Sequence, residues 1–116
     1  MIGALDTPLL SVNCFILGDD LDPDRAFTVD ILKTKNISVL KGLIKGERSV
    51  QLSDVDASDL ELWKASFPAD DLATTQPSTR GPKLGSLRLL SDIFPSKLNV
   101  NDVHVLVRVP GKGEHY

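Results

Sequence analysis

"DVHVLVRV", residues 102–109, is the stretch on which the fold turns. In an extended chain Val103, Val105, Val107 and Val109 share one face, and His104, Leu106 and Arg108 share the other. That period of two, carried by β-branched residues, is a strand signal. Upstream of it, "LRLLSDIFP" (87–95) reads as a short helical or turn segment anchored by Leu87, Leu90 and Ile93. Before that, "FPADDLATTQPSTRGPKLGS" (67–86) is rich in Pro, Gly, Ser and Thr, has no apolar period and is expected to be a mobile loop.

Further upstream, "LELWKAS" (60–66) reads as a strand, and "NISVLKGLIKGE" (36–47) as a short amphipathic helix. Asn36 is its N-cap, Ile37, Leu40, Leu43 and Ile44 its apolar face, and Gly46 its stop. Lys41, Lys45 and Arg48 are expected to form a basic stripe on the outer face of that helix. "AFTVDIL" (26–32) alternates cleanly, with Phe27, Val29 and Ile31 on one side and Thr28 and Asp30 on the other. "VNCFILG" (12–18) is a continuous apolar run that suits a central strand covered on both faces. The acidic turn "DDLDPDR" joins these two strands into a hairpin. The order is therefore β-β-α-β, loop, short turn, β.

With 116 residues, 41% of them hydrophobic, the chain suits one domain able to bury a core. The expected boundaries are a flexible N-terminus over 1–10, the domain over 11–110 and a tail over 111–116. A net charge of −3 argues against a nucleic-acid module, which needs a basic excess against phosphates. One cysteine, Cys14, allows no internal disulfide and reads as a small buried hydrophobe. The first residues lack the basic and apolar regions of a signal peptide, and no stretch reaches the length of a membrane span, so no membrane insertion is expected.

This order of elements is that of the β-grasp fold, an α+β architecture in which a mixed sheet packs on one α-helix. "LLSDIFPSKLNVNDVHVLVRVPGKG" resembles the ending of ubiquitin. On that fold Val12, Cys14, Ile16, Val29, Ile31, Leu60, Leu62, Val105 and Val107 face the helix. The segment "DASDLELWKAS", followed by the final strand, resembles the N-terminal header of the Crinkler (CRN) effectors of oomycetes and fungi. The matching residues are Asp56, Ala57, Asp59, Leu60, Leu62, Trp63, Lys64 and Ala65. The Phe-Leu-Ala-Lys core of that family is replaced by Trp63-Lys64-Ala65-Ser66, which resembles a fungal "LWK" form.

The resemblance implies a non-enzymatic, ubiquitin-like module of a secreted effector, made by a fungal symbiont or pathogen without a recognisable signal peptide. It implies trafficking or recognition inside host cells, including the nucleus, through a host protein partner. Enzymatic or toxic activity belongs to C-terminal domains of such effectors, and none is expected within these residues. A ubiquitin-like adaptor or homo-oligomerisation module is the alternative.

Strand alternation places Trp63 on the face opposite Leu60 and Leu62, with Phe15, His104 and Leu106. Those four could form an exposed apolar patch of the kind partner surfaces use, with Lys41, Lys45 and Arg48 steering an acidic partner. Two other arrangements stay open: a bulge that turns Trp63 inward, and a 67–86 loop folded over it. No cofactor is implied. His104 and His115 lie far apart with no ligand at zinc spacing, Asp19, Asp20, Asp22 and Asp24 lack the Gly and Glu of a calcium loop, and no nucleophile sits in a recognisable turn.

Overall fold

The computed structural model of the protein describes residues 9–17, 22–72, 82–95 and 97–109. The strands are β1 (Leu9–Ile16), β2 (Phe27–Leu32), β3 (Glu61–Pro68) and β4 (Asp102–Arg108). The helices are α1 (Ile37–Glu47) and the four-residue α2 (Leu90–Ile93), with single 3-10 turns at Pro23–Arg25, Ala57–Asp59 and Ala69–Asp71. The strands form one mixed sheet in the order β2-β1-β4-β3. β1 is antiparallel to β2, with Val12 opposite Val29, and parallel to β4, with Phe15 opposite Leu106. β3 closes the sheet antiparallel to β4.

The hairpin follows from its pattern. Phe27, Val29 and Ile31 are buried while Thr28 and Asp30 are exposed. β1 begins at Leu9 and buries Leu10, so the sheet takes in two residues that sequence reading placed in the N-terminal segment. α1 starts where its cap predicts: the Asn36 Oδ1 accepts the Val39 N–H at 3.1 Å. It does not stop at Gly46. Nothing imposes a left-handed backbone there, and the helix runs to Glu47, ending at Arg48, whose N–H bonds the Ile44 carbonyl at 3.1 Å. Ile37, Leu40 and Ile44 face the sheet, but Leu43 is 40% exposed and lies outside the core.

The nine residues expected to face the helix are all buried in one cluster with Ile37, Leu40 and Ile44. Leu52, Leu84, Leu90, Ile93 and Phe94 close its sides. Burying a dozen or more aliphatic side chains, each worth about 1.5 to 3 kcal/mol, makes this cluster the main source of stability. Leu87, expected to anchor α2, is 83% exposed; Leu90 and Ile93 perform that task alone.

A second cluster lies on the far face of the sheet: Phe15, Leu72, Val103 and Leu106, with Leu17, Trp63, Ala65, Phe67 and Ala69 packed against it. Its cover is the segment that follows β3. The Ala69 N–H bonds the Asn101 carbonyl at 2.8 Å, and Leu72 is wholly buried. The stretch read as a loop from residue 67 is thus partly ordered structure: Phe67 and Pro68 complete β3, and Leu84 returns to bond the Leu62 carbonyl at 2.8 Å. Residues 73–81, like residues 18–21 with Asp19 and Asp20 and the tail with His115, lie outside the described residues.

Candidate interaction site

β3 carries the segment singled out in the sequence, and alternation along it assigns each residue a task. Leu60 and Leu62 point at α1 and are buried. Glu61 and Trp63 point to the far face, where Trp63 is half-buried against the second cluster. Its indole Nε1–H donates to the Glu61 Oε1 at 3.4 Å. The same carboxylate meets the Arg108 Nη1 at 3.0 Å and the Lys83 Nζ at 3.7 Å. Partial burial works against the charge on Glu61, yet the Arg108 hydrogen bond, with help from Lys83 and Trp63, holds its carboxyl below the usual range. The result is an aromatic edge framed by one anion and two cations.

Lys64 points back toward α2. Its Nζ donates to the Ile93 carbonyl at 3.0 Å and stands 5.6 Å from the centre of the Phe94 ring. It therefore latches the end of α2 to β3, as a cation at a helix C-terminus does. Ala65 is half-buried against the second cluster and lies within the β3–β4 register shift between Lys64 and Phe67. Asp59 ends a 3-10 turn on the lip of a cleft of about 410 Å³ that also takes in Lys41, Lys83 and Ser86.

The proposed surface patch of Phe15, Trp63, His104 and Leu106 is corrected by this geometry. Phe15 is 0% exposed and Leu106 is buried, because Leu72 and Ala69 cover them. Of the four, only Trp63 reaches solvent. His104 is buried too and has left the far face. Its Nδ1 accepts the Asn13 N–H at 2.9 Å and its Nε2 lies 2.7 Å from the Asn99 carbonyl. Only Nε2 can then carry the proton, so the ring is neutral, and burial pushes its pKa below the ordinary value against the pull of Asn99 and Asp102. Val103, by the same break in alternation, faces the second cluster and not α1.

The basic stripe is corrected as well. Lys41 is only 7% exposed, and its Nζ donates to the Ser86 Oγ at 2.8 Å. Burial and the neighbouring Lys83 lower its pKa, with Glu61 opposing. Arg48 lies over the Phe27 ring at 4.3 Å and reaches the Arg25 carbonyl at 3.4 Å. Lys45 is half-buried. Helical spacing had put all three on one side; it gave no sign that this side borders the core. The charges sequence reasoning missed are Lys83 and Arg108, which meet only because strand pairing brings both to Glu61.

Cys14 is sealed in the main core, where burial raises its pKa far above the ordinary value despite Arg48. Among the described residues no group of three or more His, Cys, Asp or Glu is placed to share a metal, and no helix is long and apolar enough to cross a membrane.

Residues 10–108 match the family profile described as the Crinkler effector protein N-terminal domain. The chain belongs to the Crinkler N-terminal domain family. A curated relative, Crinkler effector protein 1 of Rhizophagus irregularis (strain DAOM 181602 / DAOM 197198 / MUCL 43194), is 34% identical to this Crinkler domain over 103 residues. That match takes in 87% of this chain and 22% of the relative, so the Crinkler domain spans about a fifth of that protein's length. Among solved structures, the C-terminal ubiquitin-like domain of mouse tubulin-specific chaperone e superposes with a TM-score of 0.57 at 20% identity, covering 95% of each chain. The β-grasp fold read from the order of elements is thereby established for this Crinkler domain. Domains of this family and fold are generally non-catalytic.

Proposed function

We propose that this Crinkler domain is the non-enzymatic recognition header of a secreted effector and that it docks onto a host protein, in the cytosol or nucleus, through the surface around Trp63. The observation that carries this reading is the half-exposed indole standing beside Glu61, Lys83 and Arg108 at the edge of the sheet. A tryptophan with a charged rim has the composition of an interface anchor, since aromatic and Arg residues dominate binding energy and rim charges set orientation and association rate. Lys83 and Arg108 take over the steering role first assigned to Lys41, Lys45 and Arg48. Delivery into host cells is supported by the family, whose members are effectors.

The test is quantitative capture from plant nuclear and cytosolic extracts with the wild-type domain and with Trp63→Ala, Lys83→Glu and Arg108→Glu. The charge variants alter exposed or half-exposed side chains and leave both cores intact. Partners that fall at least tenfold with Trp63→Ala and also with a charge variant support the reading; an unchanged set of partners across all three sinks it. A second reading, a self-association module, is favoured by a different surface, the outer face of α1.

A further inference from the structure

α1 is apolar on both sides. At about 100° per residue, Val39, Gly42 and Gly46 fall opposite Ile37 and Ile44, on the side away from the sheet, and Leu43 borders that side. Val39 is 41% exposed, Leu43 is 40% exposed and both glycines are exposed. A helix at a protein surface normally places charge on that side. Here the charges sit on the flanks, Lys45 on one and Glu47 on the other, while Lys41 is covered. A Cβ built on Gly42 or on Gly46 would meet nothing within 4 Å, so none of the described residues requires either glycine, although each costs the helix about 1 kcal/mol relative to Ala. Leu87 and Leu89 extend the apolar surface beside the first turn, where the Ser38 N–H bonds the Ser86 carbonyl at 2.8 Å and Asn36 pairs with Leu89.

We propose that this face is the contact between two copies of the chain, packed α1 against α1, in parallel, about a two-fold axis. The charges choose the occupant and the direction. A two-fold axis along the helices sets the left flank of one against the right flank of the other, which places Lys45 of each copy beside Glu47 of its partner at nearly the same height. An antiparallel pair would set the Lys45 flanks against each other and the Glu47 flanks likewise. The glycines let the two backbones approach closely, with Val39 and Leu43 filling the space beside them.

The 11 residues of α1 extend only about 16 Å, so the contact falls short of the roughly 1,000 Å² of a stable interface and the dimer exchanges in the high micromolar range. The proposal rests on the self-association reading and is independent of host docking at Trp63.

Sedimentation velocity from 10 μM to 1 mM, concentrations set by that expected affinity, tests both levels. The expected result is a reversible dimer that Leu43→Glu weakens at least tenfold while thermal unfolding of the monomer is unchanged. Lys45→Glu and Glu47→Lys should each weaken it, and the double exchange should restore it. A wild-type chain that stays monomeric at 1 mM overturns self-association altogether. A dimer indifferent to Leu43→Glu, or one that the double exchange fails to restore, overturns the parallel α1 contact alone.

Discussion

His104 shows how one side chain can hold two segments together and carry a pH dependence with it. Its neutral ring completes the main chain of Asn13 on β1 and of Asn99 before β4. Protonation at Nδ1 would set a proton against the Asn13 N–H. The folded pKa is lowered from an unfolded value of about 6.5, so between those values the unfolded chain holds a proton that the folded chain refuses. This contribution is complete above about pH 6.5 and is lost as pH falls through that window. Urea denaturation followed from about pH 7.5 down to about pH 5 should show stability declining, with a shallower decline in His104→Phe. That variant, leaving an N–H and a carbonyl unpaired, should also cost about 2 kcal/mol at neutral pH. A steeper decline in His104→Phe would refute the assignment. Trp63 was legible at this scale, because Leu60 and Leu62 fix its side of the strand. His104 was not, since its ring takes the place of a ladder bond and breaks the alternation that sequence reading assumes.

Among the elements, α1 and β3 contrast in how much their residues announced. The N-cap and three of the four core positions of α1 follow from a 3.6-residue period, which local residues alone determine. The position of Lys41 under the 82–86 segment follows from a contact 45 residues away, and helical spacing carries no trace of it. The glycines give an element-level prediction. Gly42→Ala and Gly46→Ala should each raise monomer stability by about 0.5 to 1 kcal/mol in urea melts, because the added methyl meets no neighbour among the described residues and the unfolded chain loses freedom. The same double variant should dissociate the α1 dimer. A loss of monomer stability would mean that the helix surface is already occupied within the chain. On β3, Trp63, Ala65 and Phe67 keep to the far face, while the pairing with β4 shifts register between Lys64 and Phe67, which a sequence period cannot place.

At the scale of the molecule, two apolar layers flank one sheet. The layer under α1 was readable because strands and helix both signal their buried faces. The far layer was not, since Leu72 and Ala69 come from a stretch without period, and only tertiary folding lays them over Phe15 and Leu106. Leu72→Ala should therefore cost about 2 to 4 kcal/mol, with Trp63 emission shifting to the red as its packing loosens. An effect below about 1 kcal/mol would mean that the far layer contributes little. Denaturant melts with fluorescence and far-UV dichroism read both at once.

The central pairing of β1 with β4 has a mechanical consequence. Because these neighbours run in the same direction, Leu9 and Arg108 lie at opposite poles of the sheet. Tension applied between those residues slides the two middle strands past each other and strains their shared bonds all together, whereas a hairpin pulled from its open end peels one rung at a time. A machine that threads this domain from one end must therefore shear its central seam before either hairpin can peel.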